Sequence, residues 1–280
     1  MANLRFQVRA VTAAAVFAFT VAAAPAPIPA VPPAYADLAD LADAADIVVH
    51  AKIKQAIALS PERAGTVAQG QARIYVEAET VALIAGSAPL GQSLRYLVDV
   101  PLDAKGKLPK LKKRDVLLFA RPVAGRPGEI QLVGPSSQLD WNPALEARLR
   151  PVLSDLASPD AAPAVTGVRD ALSVAGTLAG ESETQIFLST KGGDPVSVTV
   201  VRRPGMAPVW GVSFGEIVDQ AARPPARETL AWYRLACFLP RELPGAANLA
   251  QDGASRARAA QDYRFVLEQL GPCPRTLARQ

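Results

Sequence analysis

The chain has 280 residues, half of them hydrophobic, with 30 Lys and Arg against 26 Asp and Glu, one His and two Cys. Of its formal charge of +4, two lie in Arg5 and Arg9, and the remaining +2 is shared evenly: residues 37–140 hold 13 basic and 12 acidic side chains, and residues 141–280 hold 15 and 14. That balance excludes the one-sided basic excess of a nucleic-acid binder, and one His with two distant Cys excludes the usual zinc donor set.

Residues 1–36 read as a secretory leader. Arg5 and Arg9 precede an apolar run over residues 11–24, a spacer carrying Pro25, Pro27, Pro29, Pro32 and Pro33 follows, and Ala34-Tyr35-Ala36 offers an A-x-A cleavage motif. The apolar run is shorter than the roughly 20 residues a bilayer-spanning helix needs. A cut after Ala24 would leave Pro25 first, so the expected mature start is Asp37. Arg5 and Arg9 are not adjacent, which favours the general export route over a twin-arginine one. The expected location is the periplasm, with no transmembrane span after cleavage. In that oxidising compartment Cys237 and Cys273 are expected to form one disulfide. The alternative, a redox pair, lacks the C-x-x-C arrangement that depresses a thiol pKa.

Asp37, Asp40, Asp43 and Asp46 recur every third residue with Leu38, Leu41, Ala42 and Ala45 between them, the pattern of a short amphipathic helix with a solvated acidic face. The spacing is not that of a calcium loop, and no Gly supplies its turn. Period two begins at residue 47: Val49, Ala51, Ile53, Ile57 and Leu59 fall on one face, and His50, Lys52 and Lys54 on the other, which predicts a half-buried strand over 47–59. Similar runs at 73–84, 93–100, 116–121 and 129–133 complete five strands separated by Gly, Pro and Ser turns, hence a small antiparallel barrel or sandwich over residues 37–138. Its size and strand number resemble an OB-type barrel, including the netrin-like secreted variety, with a loop where a helix usually stands between the third and fourth strands.

Residues 134–143 are turn-rich and are expected to join this β-rich domain to a second one over 139–280. There the pattern predicts helices at 144–156, 165–172, 227–239 and 254–270, and a three-stranded antiparallel meander at 184–189, 196–202 and 208–214, an α+β arrangement. Runs such as Glu183-Thr184-Gln185-Ile186-Phe187-Leu188 and Leu230-Ala231-Trp232-Tyr233-Arg234 resemble those of exported proteins of Gram-negative bacteria. That resemblance carries no activity and no catalytic residues with it.

No catalytic set assembles from the residue inventory. Gly211-Val212-Ser213-Phe214-Gly215 matches the G-x-S-x-G nucleophile elbow, but the only His is His50, far upstream, and no Lys lies three residues after any Ser. Ser213 is therefore the candidate of an alternative reading, a serine hydrolase, which needs a general base from elsewhere. Glu77 and Glu79 lie on one strand face about 7 Å apart, side by side rather than across a cleft as a glycosidase requires. Trp141, Trp210 and Trp232 fit core positions better than a groove. No phosphate-cradling G-x-x-x-x-G-K occurs, and no cofactor or metal is expected.

Lys105, Lys107, Lys110, Lys112, Lys113 and Arg114 place six cations within ten residues. Such a loop could meet lipopolysaccharide, anionic lipid or another polyanion, with an attraction that weakens as salt rises. Its plainer reading is a solvated approach to the next strand. The expectation is a non-catalytic, envelope-associated binding protein whose partner is an anionic envelope component or another exported protein. A structural envelope subunit is the remaining alternative.

Overall fold

Alternating apolar side chains make the first sheet curl around its own inner face. The computed structural model describes residues 31–87, 90–215 and 222–277, so the leader read over residues 1–36 lies outside the described residues as far as residue 30. The first sheet holds β1 (Ile47–Ala58), β2 (Gln71–Ala85), β3 (Ser93–Pro101), β4 (Asp115–Pro122), β5 (Ile130–Leu132) and β6 (Gln138–Asp140). Its order is β3-β2-β1-β4-β5, with β6 also paired to β4. Every ladder is antiparallel. A parallel bridge between Arg95 and Glu129 then brings β3 round to the start of β5, which leaves a nearly closed barrel.

The barrel interior is the apolar half of the period-two pattern: Val49, Ile53, Val76, Leu94 and Leu118 are all fully buried. β1 serves both ladders, and three register shifts against β2 give it the bend that a closing sheet requires. Residues 102–114 form a loop between β3 and β4. Its buried Leu111 joins the barrel core.

The second sheet is an antiparallel meander of β7 (Val165–Ala175), β8 (Ser182–Thr190), β9 (Val196–Arg202) and β10 (Val209–Phe214), in the order β10-β9-β8-β7. The helix predicted over 165–172 is thus a strand. Val165, Ala171 and Ser173 of β7 face the core while Leu172 and Val174 are exposed, and nine register pairs bind it to β8. Pairing to a neighbour overrides a weak helical signal that already contained Gly167 and two Val residues. The turn-rich joining stretch likewise contains β6, which the sequence pattern does not reveal.

Helices complete a mixed α and β molecule. α1 (Tyr35–Ala44), the single-turn α2 (Pro61–Ala64), α3 (Pro143–Ala157), α4 (Leu230–Ala236) and α5 (Gly253–Leu270) follow in chain order. Asn142 caps α3 by accepting from the Leu145 N–H at 2.8 Å, Pro143 opens the helix, and Leu145, Leu149 and Val152 bury one stripe. That stripe belongs to a core that also takes Val48, Leu117 and Phe119 from the barrel's outer face and Ile186, Val198 and Val200 from the meander. The two sheets therefore share one core, and residues 32–277 belong to one compact unit.

The acidic row of α1 is solvated only in part: Asp43 and Asp46 are exposed as the pattern predicts, while Asp37 is buried and Asp40 half-buried, which corrects the expectation for those two. Asp37 accepts from the Thr276 N–H at 2.8 Å, Asp40 from the Tyr233 hydroxyl at 2.6 Å, and Asp43 from both Arg234 Nη atoms at 2.9 and 2.8 Å. A three-residue period does describe one helix face, but α4 and the carboxyl-terminal tail cover its Asp37 and Asp40 end with complementary donors. The tail is held in turn by the Cys237–Cys273 disulfide. Among the described residues no helix is long and apolar enough to cross a membrane.

Candidate functional site

The groove that stands out lies on the barrel surface, where β3 and β5 part. On the outer face of the β2–β3 ladder, Arg73 stands opposite Asp99, Tyr75 opposite Leu97, and Glu77 opposite Arg95. The row therefore runs ion pair, apolar pair, charged pair: Arg73 bonds Asp99, whereas the salt bridge of Arg95 goes to Glu129 rather than to Glu77 among the described residues. Beyond it the wall is β5 with Gly134 and Pro135, and together these residues enclose a groove of about 590 Å³. Leu97 is 48 % exposed, one of several outward apolar side chains on the strands, with Ile57, Val81, Val174 and Val209 among the others, and the one that lines this groove.

Its polar rim is largely self-satisfied. Arg73 holds both Asp99 oxygens at 2.8 Å through Nε and Nη2, and its Nη1 donates to the Ala64 carbonyl at 2.7 Å. The Tyr75 hydroxyl donates to Glu77 at 3.2 Å, and partial burial followed by this carboxylate raises the phenol above its usual pKa of 10.0. Glu129 faces Arg95 at 3.8 Å and Arg126 at 3.3 Å. The charged side chains lining the groove are Arg73, Arg95, Asp99 and Glu129, so it carries no net charge.

Gly128 makes the bridge between β3 and β5 possible. Its φ of +80° is strained for any other residue, and a Cβ there would sit a tight 3.0 Å from the Ser93 carbonyl. In return its carbonyl accepts from the Arg95 N–H at 2.8 Å.

The basic loop lies on a separate residue set. Asp103 accepts from the N–H groups of Lys105 and Lys107, both at 2.8 Å, and the Lys113 N–H donates to Ile53 at 2.8 Å with Lys113 at φ +71°. The backbone is anchored while the side chains of Lys105, Lys107, Lys110, Lys112, Lys113 and Arg114 are exposed. Arg114 pairs with Asp140; the five Lys make no ion pair among the described residues. None of the six lines the groove.

Ser213 and His50 lie in different sheets. Ser213 is buried on β10 opposite Ser197, with Gly211 pressed against Ala222. His50 is 7 % exposed rather than facing water beside Lys52 and Lys54, a second correction. Its ring stacks on Trp141 at 4.2 Å and its Nε2 lies 3.2 Å from Asp115. Trp141 in turn donates to Glu146 at 2.7 Å. The outer face of β1 near His50 is covered by the start of α3, which period two cannot anticipate.

Glu77 accepts from Tyr75, and Glu79 pairs with Lys54. Trp210 and Trp232 are core residues. Among the described residues no cluster of three or more His, Cys, Asp or Glu could hold a metal ion. Sequence reasoning passed over Tyr75, Arg95, Leu97 and Glu129. The available signal was the outward half of two predicted strands, Arg73-x-Tyr75-x-Glu77 and Arg95-x-Leu97-x-Asp99, in which an apolar residue sits where a solvated strand calls for a polar one.

No family model matches the chain, and no curated protein matches it.

Proposed function

We propose that the protein is an exported, non-catalytic binding protein whose barrel is an OB-type module and whose groove along the β3–β5 seam holds an extended ligand. Support for the OB identity is the strand order with β1 paired to both β2 and β4 and a parallel contact between β3 and β5. Such barrels are partly open and bind ligands over the face of strands 2 and 3. The observation that carries the reading is the neutral groove of about 590 Å³ with half-buried Tyr75 and exposed Leu97 along it. Absence of net charge in the groove favours an uncharged or charge-balanced ligand over a polyanion.

The test is a ligand screen with the purified mature protein against peptide, glycan and lipid panels, repeated with Leu97→Asp. A bound ligand is expected to lose about tenfold or more in affinity in that variant, with its circular dichroism unchanged. Binding indifferent to Leu97 overturns the assignment of the groove. Covalent labelling by a fluorophosphonate that disappears in Ser213→Ala would instead establish the serine hydrolase reading.

A second reading concerns the basic loop and is favoured by its five exposed ammonium groups, which make no ion pair among the described residues. Through Lys105, Lys107, Lys110, Lys112, Lys113 and Arg114 the protein associates with an anionic envelope component at low ionic strength. Replacing Lys110, Lys112 and Lys113 by Ser is expected to abolish co-sedimentation with anionic vesicles at low salt. Unchanged co-sedimentation removes the loop from the account.

A further inference from the structure

The hydrogen-bond register of β3 says what kind of ligand the groove can take. In an antiparallel ladder, pairs that exchange N–H···O bonds alternate with pairs that do not, and the latter point their main-chain groups outward. The Thr80 N–H donates to Gln92 at 2.9 Å, and the Leu102 N–H donates to Gly70 at 2.8 Å. These bonds make the even-numbered positions of the β2–β3 ladder the bonded ones. The N–H and C=O groups of Arg95, Leu97 and Asp99 therefore point away from β2, toward β5.

Arg95 uses its N–H on Gly128 at 2.8 Å. Beyond that bridge no ladder joins β3 to β5 among the described residues. Leu97 and Asp99 thus present a strand edge to the groove, and an edge with free main-chain donors and acceptors is a template for another strand. The side chains around it offer far less. Arg73 and Asp99 satisfy each other, Tyr75 is bonded to Glu77, and Glu129 is shared by Arg95 and Arg126. A glycan, which relies on side-chain forks for its hydroxyls, finds those of Arg73, Asp99 and Glu129 occupied and the exposed Gln131 amide as the open one among the described lining residues.

We infer that the ligand is an extended polypeptide segment, added as a strand along β3 at Leu97 to Asp99, beyond the Arg95 bridge. This inference rests on the groove being the binding site. Three residues of strand span roughly 10 Å at about 3.3 Å each, and alternate side chains of the incoming segment would face the groove. The residue opposite Leu97 meets apolar surface, with Tyr75 alongside. The flanking ion pairs ask for uncharged neighbours. Main-chain bonds supply the affinity and the apolar contact the selectivity, as in other strand-addition complexes.

The experiment pans a phage-displayed random heptapeptide library on the purified mature protein, then synthesises the enriched peptides with single N-methylated amides. Methylation at alternate positions is expected to weaken binding about tenfold or more, because each removes one donor to β3, while methylation at the intervening positions leaves affinity within about twofold. Leu97→Asp is expected to weaken every parent peptide. Equal sensitivity at all positions overturns strand addition, as does failure to enrich any peptide. If a glycan panel yields a ligand lost in Leu97→Asp while no peptide binds, the groove stands and the peptide proposal falls. If neither class depends on Leu97, both fall.

Discussion

The guanidinium of Arg275 grips the carboxylate of Asp40 through Nε at 2.5 Å and Nη2 at 3.1 Å, joining residues 235 positions apart. Asp40 raises the Arg275 pKa through this contact, and the same carboxylate takes the Tyr233 hydroxyl at 2.6 Å. Helix α1 is thereby clasped between α4 and the tail that the disulfide anchors.

Asp40→Ala is expected to destabilise the fold by about 1–3 kcal/mol, because it leaves a phenol and a guanidinium without their acceptor. Urea denaturation is the measurement. An unchanged midpoint would mean that water replaces the carboxylate and that the clasp is ornamental.

A deeper ion pair sits under the meander. Asp262 of α5 is fully buried, bonded to Thr184 and to Arg202 Nε at 2.6 Å. Asp262→Ala takes the carboxylate from Arg202, whose side chain is 23 % exposed, and from Thr184, which keeps its bond to Ser173, and the expected loss is about 1–3 kcal/mol, read as a fall in thermal midpoint. Asp262→Asn, which keeps a hydrogen-bonding side chain of the same size, is expected to lose less.

Acid should loosen the contact between barrel and α3. The Trp141 indole and then Arg150 hold the Glu146 carboxyl below its ordinary value of 4.5. A depressed folded pKa contributes stability that is present above the unfolded value and lost as pH falls through the folded one. Stability should therefore drop as pH descends below about 4.5, with a change in Trp fluorescence, and Glu146→Gln should show a smaller drop over that interval. Identical acid profiles for the two proteins would assign the effect to other carboxylates.

Export, if it follows the leader, should leave more than the sequence motif indicates. Ala34 donates its N–H to Asp37 at 2.8 Å, Tyr35 packs edge-on against Trp232 at 6.2 Å, and Thr276 and Arg148 donate to the carbonyls of Pro32 and Pro33. Asp37 itself is 4 % exposed. A chain starting there would bury a charged ammonium at the positive end of α1. Amino-terminal sequencing of the exported protein is expected to find a start upstream of Pro32, and a start at Asp37 would refute this.

Much of the architecture was legible from periodicity. Alternation from residue 47 onward located β1 to β5 because a strand buried on one face must repeat every second residue, and two cysteines in a chain read as exported implied the disulfide. β7 was misread because Gly167 and the polar residues Arg169 and Asp170 blur its alternation. β6 has three residues, too few for any period. The groove residues were visible only as anomalies, since an outward Leu97 between Arg95 and Asp99 gains meaning once β5 is known to leave the barrel's edge open.

By itself the sequence determined which side of each strand is apolar and which residues form helices with a buried stripe, since both follow from local repeat and side-chain transfer energy. Only the tertiary structure decided what covers the other side: Trp141 over His50, α4 against Asp40 and Asp43 of α1, and a groove that leaves Leu97 about half exposed. Those outcomes depend on contacts between residues scores to hundreds of positions apart, and neither propensity nor spacing carries information about such distant partners.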